Sequence, residues 1–163
     1  MIESAEFKHG MSLLTGAVNI VATKGATGRY GFTASAVCSV TDAPPTLLVC
    51  MNRASNSHMH FIDNKMLSVN VLGAHHQPIS RAFSSNLTAE ERFTHGEWTA
   101  LKTGAPVLVD SLVSFDCLIE QIQTIGTHDI FICRVVAIQQ PQQQQGLVYF
   151  NRAYHSVGQA AFS

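Results

Sequence analysis

YGFTASAVCSVTDAPPTLLVCMNRASNS, residues Tyr30–Ser57, is the stretch whose reading decides the fold. From Gly31 to Val40 the residues are almost all small or β-branched and none is charged, so the backbone N–H and C=O groups stay within reach of a planar ligand. Thr41-Asp42-Ala43-Pro44-Pro45 then makes a turn, because Asp bonds its own backbone and proline fixes φ. Thr46 to Met51 follows as a buried strand. Its exit, Asn52-Arg53-Ala54-Ser55-Asn56-Ser57, leads into a helix expected from about His58. Small polar side chains, a guanidinium and helix-start N–H groups would converge there, a combination that suits a phosphate. An ordinary hairpin followed by a capped helix has the same composition, so composition leaves both readings open.

Working outward, Val18 to Thr23 is strand-like, and Lys24 to Arg29 is a glycine-containing hairpin loop returning into the central stretch. Upstream, Phe7, Met11, Leu14 and Val18 recur at helical spacing and predict an amphipathic helix laid on the body of the domain. Downstream, Leu67 to Leu72 alternates as a strand with one apolar and one more polar face. Pro78 is placed for a first helical turn, and Thr88-Ala89-Glu90-Glu91 fits a capping box. Val113, Phe115, Cys117 and Ile119 alternate with Ser114, Asp116, Leu118 and Glu120, which predicts a long strand with one buried face; Ile130 to Ile138 is a second. Thr124 to Asp129 is the tight connection between them, holding His128 at the end of two rigid strands. Gln139 to Gln145 reads as a solvated loop, and Leu147 to Phe150 as a last strand before Asn151-Arg152-Ala153-Tyr154-His155. Six or more short strands without intervening long helices argue for a mainly β fold. The expectation is one domain, residues 1–163, built as an antiparallel β-barrel with peripheral helices.

Charged residues make up 13% of the 163, against about 25% in an average soluble domain. With 46% hydrophobic residues, that leaves little charge to cover a monomer and predicts a homodimer with a large apolar interface. A net charge of -1 gives no drive toward nucleic acid or an anionic membrane. Cys38, Cys50, Cys117 and Cys133 lie far apart with no C-x-x-C and read as reduced thiols. No stretch has the roughly 18 continuous apolar residues of a spanning helix, and the start lacks a basic leader, so the expected location is the cytoplasm. No glycine-rich nucleotide motif follows a strand, which excludes a Rossmann site and a P-loop. His58 with His60 and His75 with His76 lack metal-site spacing or an adjacent carboxylate motif, so no metal is expected. Serine hydrolase chemistry lacks its G-x-S-x-G elbow.

The central stretch, with Thr33, Ser35, Cys38 and Ser39 in a T-x-S-x-x-C/S-S run and Cys50, Asn52, Arg53 and Ser55 in a V-C-x-N-R-x-S exit, resembles the short-chain flavin reductases. The resemblance runs from about Phe7 to His155 and continues in Ser68 to Leu72 (SVNVL), Gly126 to His128 (GTH) and Gly146 to Phe150 (GLVYF). It implies a flavin-binding split barrel of Greek-key form, packed as a homodimer. The implied reaction is hydride transfer from NADH to FMN, with FAD or riboflavin also possible, and release of reduced FMN to a partner flavin-dependent monooxygenase. The implied partner is the pyrimidine monooxygenase of uracil breakdown. Alternatives are the reductase component of 4-hydroxyphenylacetate 3-monooxygenase and a non-catalytic flavin-binding or electron-transfer protein on the same barrel. By the same resemblance, Thr33, Ala34, Ser35, Ala36, Val37, Cys38, Ser39, Cys50, Asn52, Arg53 and Ser55 touch the flavin. Phe83 is a further flavin neighbour, in a Phe83-Ser84-Ser85 run where relatives often read F-A-G. His128 is the catalytic, nicotinamide-facing residue, with Tyr149 and Tyr154 closing that side. No strong acid or base is needed, because hydride transfer moves no proton through a side chain.

Overall fold

Ile20, Val21 and Ala22 leave strand β2 (Asn19–Gly25) no polar face to show to water, and all three are fully buried. In the computed structural model, which describes residues 1–142 and 145–158, β2 is covered on both sides. The chain opens with α1 (Ser4–Ser12) and β1 (Gly16–Ala17), and β2 turns into β3 (Gly28–Ala34). Then come β4 (Val37–Asp42), β5 (Pro45–Asn52), α2 (His58–Asn64) and β6 (Met66–Val71). A 3-10 turn at Ala74–His76 leads into α3 (Gln77–Phe83), followed by α4 (Ala89–Arg92), β7 (Trp98–Thr99) and β8 (Val107–Leu108). The long hairpin β9 (Val113–Ile125) and β10 (His128–Gln139) and the short hairpin β11 (Gly146–Phe150) and β12 (Ala153–Val157) complete it.

Seven strands form one antiparallel sheet in the order β3-β2-β6-β9-β10-β5-β4, while β1, β11 and β12 form a second sheet and β7 and β8 a third. The edge strands β3 and β4 are consecutive in the chain and joined only by Ser35 and Ala36. Three Cα steps span at most about 11 Å, so the sheet must curl until its two edges approach at that end. One core lies on the side of Val21, Val49, Met51, Phe61, Val69 and Phe131; a second, with Ile20, Leu72, Phe83, Phe93 and Leu108, lies on the other side under α3. No helix among the described residues is long and apolar enough to cross a membrane.

Three expectations are corrected. The first helix is found, but it ends at Ser12 and buries none of its residues: Phe7 is 62% and Met11 48% exposed, so its apolar stripe lacks a partner among the described residues. Two polar alternates of β6 and two of β9 do not face water, although Leu118 and Glu120 farther along β9 do. Ser68, Asn70, Ser114 and Asp116 are fully buried, because each finds partners inside. Asn70 donates to the Ile20 carbonyl (3.1 Å) and to Ser68 Oγ (3.0 Å), and accepts from Leu108 N–H (2.9 Å) and the Ser114 hydroxyl (2.7 Å). Asp116 accepts from the backbone N–H groups of Lys102 (2.7 Å) and Thr103 (2.8 Å), fixing the loop ahead of β8. The glutamine run is likewise not all loop: Gln139 ends β10 and donates to the carbonyl of Leu108 at 3.1 Å, while residues 143 and 144 lie outside the described ones.

Candidate active site

Successive residues of β3 point to opposite faces. Phe32 and Ala34 turn into the first core, which leaves Gly31 and Thr33 facing α3. A Cβ on Gly31 would lie 2.8 Å from Phe83 Cε1, and the Thr33 hydroxyl donates to the Ser80 carbonyl at 2.7 Å. Packing against α3 therefore accounts for part of the small-residue pattern. The rest borders cavities.

At one end, Tyr30, Gly31, Ser55, Asn56, Ser57, Asn86, Thr88 and Arg92 line a polar cavity of about 510 Å³. Farther along β3, Thr33, Ala34, Ser35, Ser80, Ser84, Tyr149 and Tyr154 line one of about 270 Å³. Ser35 and Tyr149 are shared with a third, of about 580 Å³, walled by Met11, Leu14, Ala36, Val37, Cys38, Leu48 and Cys50. Burial and then the neighbouring Cys38 push the Cys50 thiol above its ordinary pKa, which keeps it neutral. All four cysteines are free; burial drives Cys133 up to about 12 and raises Cys117 as well.

Arg92 supplies the cation of the polar cavity, donating Nη1 to the Gly31 carbonyl (2.7 Å) and Nη2 to the Ser85 carbonyl (2.8 Å). Sequence reading missed it, along with Tyr30, Asn86 and Thr88, because Gly31 and Arg92 stand 61 residues apart and share no motif. Asn52 and Arg53 do not line that cavity. Asn52 Oδ1 accepts from Ala54 N–H, and Arg53 turns to the β9–β10 connection, donating its backbone N–H to Thr127 (2.9 Å) and Nη1 to Gly126 (3.4 Å). The start of α2 is closed on its own turn, with His58 N–H bonded to the Ser55 carbonyl and His60 N–H to that of Ser57. The expected convergence of helix-start N–H groups with Arg53 is thus replaced by Ser55, Ser57 and Arg92.

Phe83 reaches none of these cavities. It is 1% exposed and packs edge-on against Phe93 beneath Gly31. Ser39 is exposed and lines a separate cavity of about 350 Å³ with Asn19, Leu47 and Phe115. Tyr154 donates to or accepts from Ser80 Oγ at 2.7 Å and meets Tyr149 edge to face at 5.1 Å, so the two tyrosines form one wall. His128 is exposed at the start of β10, with Nδ1 2.9 Å from the Thr127 hydroxyl, and borders none of the cavities described above. Register pairs it with Asn52 and pairs Ile130 with Cys50, so His128 stands one same-face step, about 7 Å, beyond a cavity residue.

The fold also brings Asp110 to the pair His75 and His76, a carboxylate no local pattern announced. Gly73 N–H donates to Nδ1 of the buried His76 at 2.9 Å, which puts the neutral ring's proton on Nε2, 3.1 Å from Asp110 Oδ1. That buried nitrogen faces the carboxylate without a hydrogen bond of ordinary geometry.

Residues 11–158 match the flavin reductase like domain, and the chain belongs to that family. The protein named FMN reductase (NADH) RutF of Bradyrhizobium diazoefficiens is 52% identical over 153 residues, 94% of this chain and 85% of that protein. The crystal structure of a candidate flavin reductase from Haemophilus somnus superposes with a TM-score of 0.94 at 52% identity, covering 96% of this chain and 100% of that one. The NADH:FAD oxidoreductase SgcE6 of Streptomyces globisporus, solved with NAD and FAD fragments, shares the fold at a TM-score of 0.90 and 20% identity, covering 98% of this chain and 96% of that one.

Proposed function

We propose that this chain is an NADH-dependent FMN reductase that releases reduced FMN to a flavin-dependent monooxygenase. The observation that carries the reading is the line of cavities along β3, with hydroxyls and a guanidinium at one end and apolar walls and thiols at the other. FMN is an elongated molecule with that same polarity, a phosphate at one end and a flat ring at the other. The phosphate goes to Ser55 and Ser57 beside Arg92, the ribityl chain to Thr33 and Ser35, and the ring to Ala36, Val37, Cys38 and Cys50. Bound FMN supplies the redox chemistry by accepting the hydride of NADH. The chain's part is to hold the ring against its backbone, to keep water off with Leu14, Leu48 and Tyr149, and to seat the nicotinamide nucleotide. His128 donates from its imidazole to that nucleotide, and Tyr149 and Tyr154 close the opposite side. FAD and riboflavin share the ring and are alternative acceptors.

The curled sheet is a split barrel, and two copies pair through the apolar groups it leaves outside: Phe7 and Met11 of α1, Leu14 just after it, and Leu118, Ile122, Ile125 and Ile138 of the long hairpin. Four free cysteines and NADH chemistry support a cytoplasmic location. The RutF name of relatives near half identity supports the pyrimidine monooxygenase as recipient. The test is NADH oxidation with FMN, FAD and riboflavin, then product formation on adding the purified pyrimidine monooxygenase, with sedimentation for the dimer. FMN binding without NADH consumption above the buffer rate would remove the reductase reading and leave a flavin carrier.

A further inference from the structure

The β9–β10 connection is the tip of a long hairpin, and its Gly126, at φ 57°, has open space around it. Such tips fray unless they are tied down. His128 follows the turn outward, while Asp129 turns the other way and is 3% exposed. Asp129 Oδ1 accepts from the Thr124 hydroxyl at 2.6 Å, and Oδ2 lies 2.6 Å from His58 Nε2 at the first residue of α2. Arg53 Nε stands 3.9 Å from Oδ1, while its backbone N–H and Nη1 hold the Thr127 and Gly126 carbonyls. One carboxylate therefore joins the end of β9, the start of α2 and the loop after β5 around the turn that carries His128.

We propose that Asp129 is a positioning residue for the nicotinamide end of the site: it fixes the Gly126–His128 turn against the Arg53 loop and so fixes where the His128 imidazole stands. The proposal rests on the reading of His128 given above. The Thr127 hydroxyl engages Nδ1, which leaves Nε2 for the ligand, and displacement of that nitrogen by about 1 Å is enough to cost a positioning contact. None of Arg53, His58, Thr124 and Asp129 lines the apolar cavity or the polar one assigned to the phosphate, so loss of the clamp acts on NADH before FMN.

Asp129→Asn keeps the shape and removes the charge and one acceptor. The apparent KM for NADH should rise roughly three- to tenfold, the effect of one hydrogen bond of ordinary net strength, with the KM for FMN within about twofold. Damage that only lowered the folded fraction would reduce kcat and leave both KM values alone. In a His128→Ala background Asp129→Asn should add nothing further to the NADH KM, because its effect passes through the missing ring. Thr124→Val, which deletes a single hydroxyl, gives the same readout in milder form where Asp129→Asn does not fold. An unchanged NADH KM, an equal loss for FMN, or full additivity with His128→Ala overturns the proposal, and His128 keeps its role if His128→Ala alone weakens NADH. Wild-type NADH kinetics in His128→Ala removes both.

Discussion

Ser55→Ala tests the phosphate end of the site most cleanly, because the structure lets its folding and binding effects be separated. The turn around Ser55 is held by backbone bonds that alanine keeps, Ser55 N–H to the Asn52 carbonyl (3.1 Å) and His58 N–H to the Ser55 carbonyl (3.1 Å). The hydroxyl itself has one protein partner, Ser57 Oγ at a long 3.3 Å. Stability should therefore change by no more than about 0.5 kcal/mol, as for a substitution away from the core. A hydrogen bond to a charged phosphate contributes about 1.5 to 3 kcal/mol, and half-burial of Ser55 favours the low end. At about 1.4 kcal/mol per decade that is a loss of roughly tenfold in FMN affinity. Riboflavin carries no phosphate and should bind Ser55→Ala as it binds the wild type. Fluorescence titration of both flavins against both proteins decides the matter: equal losses would make Ser55 a structural residue, and no loss for FMN would move the phosphate elsewhere.

Arg92→Met should weaken FMN more than riboflavin in the same titration, and should also lower Tm, since the Gly31 and Ser85 carbonyls lose their donors. Gly31→Ala overpacks Phe83 and should cost about 1 to 3 kcal/mol, a Tm drop of roughly 2 to 12 °C, partly recovered by adding Phe83→Leu; an unshifted melt would refute the close approach. Asn70→Ala deletes four buried hydrogen bonds at about 1 kcal/mol each, so a Tm within about 2 °C of wild type would show that the network relaxes onto other partners. The Thr124 hydroxyl, opposed by burial and aided by His58, holds the Asp129 carboxyl below its ordinary pKa in the folded chain. Its stabilisation is complete above about pH 4 and lost as pH falls through the depressed value, so the Tm gap between wild type and Asp129→Asn should narrow from about pH 5 to pH 3.

What the sequence made legible was local. The Val37–Asn52 hairpin, the helix at His58, the Pro78 start of α3 and the His128 turn each rest on signals within about ten residues and appear where periodicity and turn chemistry put them, whereas the run from Gly31 to Val40 breaks at Ser35 and Ala36 into β3 and β4 on opposite edges of the sheet. Long-range partners were not legible. Alternation in β6 and β9 assigned Ser68, Asn70, Ser114 and Asp116 to water, since a polar residue is read as exposed unless its partner is known. Their partners lie on β2, β8 and the 102–106 loop. Arg92 and Gly31, or His58 and Asp129 71 residues apart, meet only after the sheet has curled. The stripe on α1 was read correctly as apolar, but pattern alone could not say that nothing among the described residues covers it.

The same geometry bears on why a flavin reductase of this build can give its product away. A free guanidinium fork against a phosphate is the strongest grip a protein surface offers. Here neither nearby arginine is free: Arg92 commits Nη1 and Nη2 to the Gly31 and Ser85 carbonyls, and Arg53 is held by Gly126 and Asp129. In the site proposed above the phosphate meets hydroxyls and the field of a cation whose Nη1 and Nη2 are already engaged, a weaker hold than a free fork gives. With an association rate of about 10⁶ to 10⁷ M⁻¹s⁻¹, a micromolar Kd gives a release rate of about 1 to 10 s⁻¹. That is close to the roughly 10 s⁻¹ of a typical enzyme turnover, so release need not lag far behind reduction. Tying both arginines to the backbone steadies the loops around the site and, in the same act, keeps the flavin exchangeable.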